Sequence, residues 1–554
     1  MKTYRWIILS TLASIAIVII SYLWATSLMD SLYAFRSPFA GAAPAAGLPV
    51  GKPLSRRVVA IMVDALRVDT AANDKVMPFL NRLRAQGASA IVHSGLPSYS
   101  APSWSVLAIG AWQDLSDGPA MNPTLPENYH VWTQDNIYTS IHKAGLHTAV
   151  AGNQHFQYMI PPAAIDASAW TSEENNAADQ ENIDAAVRFI QSEKYDYVFS
   201  YVVQVDNAGH NEGGPLDPRW SEAATRADSL IEKIVGTLDL SKDTVLIYSD
   251  HGQIDAGGHG GQDAVVLVQP FIMAGANVKP GVYGDIQQVD IAPTTTVLLG
   301  AGIPSISQGH PLTDMLNLNS DQLAAIRQSV IIQQAGLYQA YATVMNTKPA
   351  QLSLEANQDP ITVYQVAVQK IKSERLTRER LPRFGFISLL ALIPAYILFR
   401  LRSRNMLWYF LAVVIYLAAF HMQYALLNGG TYSLSTVLSS SNLISTTAIY
   451  SCLAFLLAWL VASLGLRIFS MPRLQAVHTH LALIFIILYF IAIPTLWSLG
   501  YNGALVSWTL PDIGSMFLGF LFSLQLLVIA AVNLPLMAIM ALANRKNKMI
   551  ARPA

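Results

Sequence analysis

Three short stretches of this chain place carboxylates and imidazoles together. Ser249-Asp250-His251-Gly252 pairs an acid with an imidazole, and His259 follows within Gly257-Gly258-His259-Gly260-Gly261. Asp206 and His210 stand four apart, and Asp64 closes an apolar run. Three carboxylates and three imidazoles make a donor set suited to zinc, and their number suffices for two ions. The spacing of Asp206 and His210 lets both reach one ion around a tight turn. Any one of these residues alone reads equally as a capping aspartate or a satisfied histidine. Their joint occurrence is what points to metal.

A two-metal site for phosphoryl chemistry can use a nucleophile from the protein. Ser98, Ser100 and Ser103 lie between an expected strand and the start of a helix, with Ser105 just inside it. Helix N-terminal amides stabilise anions there, and a bound cation lowers a hydroxyl's pKa. Capping is the commoner role of such serines, and the pattern alone does not choose among the four.

The elements that must position these groups are legible as apolar runs. Strands are expected at 58–63 ending in Asp64, at 195–205 ending in Asp206, and at 244–248 leading into Asp250. Adjacent residues of an extended chain point to opposite faces. Asp250 and His251 therefore meet one ion only if the strand has already broken into a loop, which Gly252 permits. Further strands are expected at 88–93, 147–151 and 266–273. Helices are expected at 78–86, from 104–110, at 136–144, 182–192 and 221–238, and at 290–299 with Asp290 as N-cap. This alternation predicts an α/β fold, a mostly parallel sheet with helices on both faces. Its strand ends gather along one edge, where such folds bind ligands.

The 554 residues are 52% hydrophobic and only 13% charged, with the apolar excess at the two ends. The net charge of -1 assigns no partner, and no Lys/Arg-rich stretch with interleaved aromatics points to nucleic acid. The single cysteine, Cys452, excludes a disulfide framework and a Cys-based zinc site. Lys2 and Arg5 precede an apolar run at 6–26, long enough for an uncleaved membrane anchor rather than a signal peptide. Five more apolar segments, 384–400, 406–427, 444–466, 480–500 and 513–542, predict an α-helical membrane domain and about six spans in all.

Arg400, Arg402 and Arg404, then Arg467 and Arg473, then Arg545, Lys546, Lys548 and Arg552 in the tail place positive charge on alternate loops. Both termini are thus expected in the cytoplasm and the intervening domain on the extracytoplasmic or lumenal side. The run Lys370, Lys372, Arg375, Arg378, Arg380 and Arg383 then falls on the outer side, against that rule. It reads either as a juxtamembrane helix meeting anionic headgroups or as a solvated helix face. The spans hold few polar residues, among them His421, Gln423, Gln525 and Asn533, which favours anchoring or lipid holding over transport. The expected division is an anchor at 1–29, an Ala/Gly/Pro-rich tether at 30–56, a catalytic domain at 57–315, a helical juxtamembrane segment at 316–383, five spans at 384–542 and a basic tail at 543–554.

Val-Asp64-Ala-Leu-Arg, Pro-Ser-Tyr-Ser100-Ala-Pro, Asp206-x-x-Gly-His210, Ser-Asp250-His251-Gly and Gly-Gly-His259-Gly-Gly resemble, in that order, the motifs of the alkaline phosphatase superfamily. The branch is similar to the type I phosphodiesterase/nucleotide pyrophosphatases and, in layout, to the GPI ethanolamine phosphate transferases. Val289-Asp290-Ile291-Ala292-Pro293-Thr294 and Gln308-Gly309 are further family-like features, and the resemblance covers about 57–315. It implies an alkaline-phosphatase-like fold with Ser100 as nucleophile. It implies two Zn2+, one held by Asp64, Ser100, Asp250 and His251, the other by Asp206, His210 and His259, with Mn2+ or another divalent ion an alternative at one site. Asn122 is the nearest candidate for the family's phosphoryl-binding asparagine. Two departures stand out: a serine where the branch usually has threonine, and Gly152-Asn153-Gln154-His155-Phe156 where the transferases usually carry an acid and a tryptophan.

The implied activity is transfer of a phospho-alcohol headgroup, phosphoethanolamine-like, from a phosphodiester donor such as a membrane phospholipid to a lipid or glycan hydroxyl, through a phosphoseryl-type intermediate. A membrane-bound phosphodiesterase or pyrophosphatase, with water as acceptor, is the alternative within enzymes. An inactive membrane scaffold is the alternative outside them.

Overall fold

The computed structural model describes residues 2–355, 358–401, 406–427 and 429–550. The expected loop residues Arg402 and Arg404 and the tail residue Arg552 lie outside them.

One sheet organises the catalytic half. Its strands are β1 (Arg57–Val63), β2 (Ala88–His93), β3 (Thr148–Asn153), β4 (Ala167–Thr171), β5 (Tyr197–Val202), β6 (Asp243–Tyr248), β7 (Val268–Gly275), β8 (Gly281–Val282) and β9 (Ile286–Gln287). Their order is β4-β3-β5-β1-β6-β7-β2-β8, with β9 also on β2. β4, β3, β5, β1 and β6 run parallel, and β7 is antiparallel to both its neighbours. The mostly parallel α/β fold is as expected. The edge strand β4 and the two-residue strands β8 and β9 are additions, too short or too mixed in polarity to read as apolar runs.

The alternation of β1 explains the burial of both faces. Val58, Ala60 and Met62 enter one core layer; Val59, Ile61 and Val63 enter the other. Helices Ser100–Ile109, Ile137–Lys143, Ile291–Leu298 and Ser320–Val344 cover the first face through residues such as Trp104, Ile141, Ile291 and Leu337. Helices Pro78–Gln86, Asn176–Gln191 and Pro218–Val235 cover the second through Leu80, Ile183 and Trp220.

One expectation is corrected and one refined. The apolar run 195–205 is a strand only to Val202, and Asp206 lies on a helix, Gln204–Asn211. Val203 and Val205 are buried from that turn, so the run stays apolar while the backbone changes period. Asp290 stands at the N-cap of helix Ile291–Leu298 as expected, but its side chain makes no capping bond there. Its carboxylate accepts from the amides of Gln287 and His310, each at 2.7 Å, and so ties the preceding turn to a distant loop.

Among the described residues, five helices are long and apolar enough to cross a membrane: Tyr4–Tyr33, Met406–Leu427, Ser440–Gly465, Arg473–Asn502 and Ile513–Ile539. The chain is a membrane protein. The sixth expected span, 384–400, forms the C-terminal part of one 42-residue helix, Pro360–Leu401. Some polar groups inside the bundle pair with one another, as Gln525 does with Tyr416 and Asn533 with Ser14.

The two halves are docked, not merely linked. The segment expected as a tether lies on the catalytic domain: Phe39 is fully buried, and Arg36 makes a two-pronged pair with buried Asp117 at 2.8 and 2.6 Å. The basic run is largely engaged within the protein. Lys372 pairs with Asp114, Arg375 lies over Trp508, and Arg383 bonds Glu379. Arg380 lies over the Tyr501 ring and donates to its carbonyl at 2.9 Å. These partners account for positive charge outside the alternating-loop pattern.

Candidate active site

Asp64 follows β1 directly. The next residue, Ala65, has φ 57°, which turns the chain off the sheet and aims its amide at Asp250 Oδ1 (3.2 Å). Ser249, Asp250 and His251 follow β6, the parallel neighbour of β1, so the two strand ends lie side by side. On helix Gln204–Asn211, Asp206 and His210 are one turn apart on the same face, with Oδ1 and Nε2 at 3.4 Å. The tight turn expected there is thus a helical turn. His259 hangs on the glycine loop, which a bridge between Ser98 and Gly260 holds against the nucleophile stretch. Gly260 sits at φ 104° with the Tyr99 ring where a Cβ would stand, so only glycine fits.

The six expected ligand residues converge. Oxygen and nitrogen atoms of Asp64, Asp250 and His251 lie within 4.8 Å of one another, as do those of Asp206, His251 and His259. His251 thus sits between the two groups. Its ring stacks on His259 at 3.9 Å, and its Nε2 is 3.4 Å from Asp64 Oδ1. His210 joins the second group through His259, with their Nε2 atoms 3.0 Å apart.

Ser100 is the first residue of helix Ser100–Ile109, four residues earlier than the expected start at Trp104. Its Oγ lies 3.1 Å from His251 Nε2. The other serines are turned elsewhere: Ser98 donates to Gly261 O and Ser105 to Ala101 O, while Ser103 is fully buried. Asn122 Oδ1 accepts the Ala101 amide at 2.9 Å, beside Ser100.

The electrostatics fit a cation. Burial pushes the Asp64 carboxyl well above the usual carboxylate range, and the charges of Asp250 and Asp206 push it further against the lowering effect of Tyr201. Burial, with His251 and His210 beside it, holds His259 well below the ordinary histidine range, in the neutral form that binds metals. Asp64 Oδ1 and His259 Nδ1 are buried with no hydrogen-bond partner. Buried acids and neutral imidazoles with spare lone pairs are the donor chemistry of divalent cations.

Sequence reasoning did not find the residues that orient these donors. Trp104 Nε1 donates to Asp250 Oδ2 (2.8 Å), and the Tyr201 hydroxyl donates to Asp64 Oδ2. Gln253 donates to Asp206 Oδ1 (2.6 Å), and Gln288 to Asp250 O (2.7 Å). The alternating aromatics Tyr197, Phe199 and Tyr201 on β5 were the available signal for Tyr201. The two glutamines left none.

Residues 58–276 match the family model of the type I phosphodiesterase/nucleotide pyrophosphatases. Curated relatives include the catalytic subunit of GPI ethanolamine phosphate transferase 3 of Mus musculus, 24% identical over 48% of this chain and 26% of the relative. GPI ethanolamine phosphate transferase 2 of Schizosaccharomyces pombe is 25% identical over 49% of this chain and 39% of its own. The chain thus spans well under half the length of these relatives. Among solved structures, murine ectonucleotide pyrophosphatase/phosphodiesterase 5 aligns over 47% of this chain and 100% of its own, with a TM-score of 0.38 and 11% identity. The ordered motifs and the strands that carry them fall on these same residues, 58–276, and it is this segment that is similar to the type I phosphodiesterase/nucleotide pyrophosphatases.

Proposed function

We propose that the chain transfers a phospho-alcohol group, phosphoethanolamine-like, from a phospholipid donor to a lipid or glycan hydroxyl, with Ser100 as the covalent relay. The observation that carries this reading is the placement of Ser100 Oγ 3.1 Å from His251 Nε2, at a helix N-terminus and between the convergent acids and imidazoles. Asp64, Asp250 and His251, with Ser100, would hold one divalent cation, and Asp206, His210 and His259 the other, zinc being the ion these donors favour. Bound there, the cations would supply the positive charge that makes the serine hydroxyl acidic and neutralises the phosphoryl oxygens.

Ser100 Oγ forms a bond to phosphorus as the bond to the departing lipid alcohol breaks. The serine proton is lost to solvent, and the departing oxygen takes one up. The acceptor hydroxyl then bonds to phosphorus, loses its proton, and Ser100 leaves and is reprotonated. The helix N-terminal amides and Asn122, itself fixed by the Ala101 amide, orient a phosphoryl oxygen. Water in place of the acceptor gives the hydrolase alternative; the names of the relatives favour transfer. The catalytic half faces the extracytoplasmic or lumenal side, with both termini in the cytoplasm.

The test is p-nitrophenol release from bis- and mono-p-nitrophenyl phosphate by full-length protein in detergent, wild type against Ser100→Ala, with bound metal measured on the same samples. Metal-dependent cleavage lost in the variant supports the reading. Equal rates in both proteins overturn it.

A further inference from the structure

A cavity of about 570 Å³ joins the metal-ligand cluster to the membrane helices. At its polar end it is lined by Tyr99, Asn122, His210 and His259 of the catalytic half. Its other wall is Ala25 and Met29 of the first membrane helix, Leu443 and Ile444 of Ser440–Gly465, and Phe520 and Leu524 of Ile513–Ile550. The cavity therefore runs from metal-binding groups to a mainly apolar wall. Tyr22 and Ile444, both in its lining, are 59% and 55% exposed on the outside of the helices, where lipid would surround them.

One acid, Asp30, stands in this lining, and no Lys or Arg does among the described residues. Asp30 lies eight residues beyond Tyr22 on the same helix, about 12 Å of helix rise. No ion pair to it is seen among the described residues. Asp30 is itself exposed, so its charge stands open to an incoming cation. A phosphodiester brings one negative charge, which cations held by the acids and imidazoles at that end would offset. The second charge of an incoming headgroup must then suit Asp30.

We infer that this cavity is a lateral slot for an intact phospholipid, and that Asp30 on the first membrane helix selects a headgroup carrying an ammonium. The inference rests on the phosphoryl-transfer reading of the Ser100 site. The lipid enters between the first membrane helix and Ser440–Gly465. Its chains stay against Ala25, Leu443, Phe520 and Leu524, its phosphate reaches His210 and His259, and its ammonium pairs with Asp30. An anionic headgroup meets a like charge at that position and is disfavoured.

The experiment uses full-length protein in phosphatidylcholine vesicles holding equal small fractions of headgroup-labelled phosphatidylethanolamine and phosphatidylglycerol. Headgroup release from each lipid is compared in wild type, Asp30→Asn, Asp30→Glu and Asp30→Lys. The wild type should prefer the amine. The preference should fall by roughly tenfold or more in Asp30→Asn, reverse in Asp30→Lys and return in Asp30→Glu. A preference unchanged within about twofold in Asp30→Asn overturns the selector role. For the slot, Ile444→Trp is compared with wild type by the ratio of lipid headgroup release to soluble bis-p-nitrophenyl phosphate cleavage on one sample. A fall in that ratio supports the slot, and an unchanged ratio overturns it. Ser100-dependent cleavage of the soluble diester with no headgroup released from either lipid overturns the slot and leaves the Ser100 reading standing. Cleavage that survives Ser100→Ala overturns that reading instead.

Discussion

Ser435 Oγ, on the loop between two membrane helices, accepts the amide proton of Gly261, two residues beyond His259, at 3.0 Å. The same loop donates from Ser433 to Asp263 and receives the Gln262 side chain on the Tyr432 carbonyl at 2.8 Å. The glycine loop that presents a candidate metal ligand is therefore clamped by the membrane half. Gly261 allows this approach, because a Cβ there would stand 1.9 Å from Ser433 Oγ.

Replacing Ser435 with alanine should loosen that clamp. A buried amide left without its acceptor costs about 1–3 kcal/mol. Zinc affinity at the His259 group should fall by roughly tenfold while the helical content stays constant. Competitive zinc titration of the full chain checks this, and unchanged affinity would show the clamp to be idle.

Ser100→Ala should lower turnover of a diester by roughly a thousandfold or more, since it removes the proposed nucleophile and leaves the Asp and His donors in place. Metal content read by mass spectrometry should stay substantial. Loss of metal together with activity would recast Ser100 as a structural ligand.

Tyr201→Phe removes the hydroxyl that donates to Asp64 Oδ2. Burial and the Asp64 charge hold that phenol far above its ordinary pKa, so it is a neutral donor at every working pH. Partners of this kind are worth roughly 10–100-fold in metal affinity. Zinc titration of the variant against wild type measures it, and an equal affinity would mean that the sheet alone orients Asp64.

His310 gives the chain a pH signature outside the metal site. Its bond to Asp290, against burial and with help from Asp359, raises it from 6.5 to about 9. A histidine raised on folding lends stability that is complete below its unfolded pKa and is lost as pH rises through the folded value. Thermal midpoints should therefore decline between pH 6.5 and about 9, modestly because the ring is half exposed. In His310→Gln that slope should flatten, and an identical slope in both proteins would assign it elsewhere.

The legible parts of the site were those where polarity and backbone change together. β1 ends as Val63 gives way to Asp64, and β6 ends as Tyr248 gives way to Ser249, so apolar runs located both acids. Asp206 was found as a residue but placed on the wrong element, because Val203 and Val205 remain buried after the strand has become a helix. Four serines looked alike because what distinguishes Ser100 is a long-range contact: His251, beside its Oγ, is 151 residues away. The docking of the basic run was illegible for the same reason, since Asp114 and Tyr501 lie far along the chain. Local pattern records burial and turn chemistry; it does not record which distant partner arrives.

The helix Pro360–Leu401 packs on Ser320–Val344 of the catalytic half and on Arg473–Asn502 of the membrane half. At 1.5 Å per residue its 42 residues measure about 63 Å. Packed on both, it fixes where Ser100 stands relative to the membrane helices. The catalytic half is thus a fixed crane rather than a tethered float. Its reach is a constant of the architecture, and on the transfer reading that reach selects which acceptor hydroxyls it can serve.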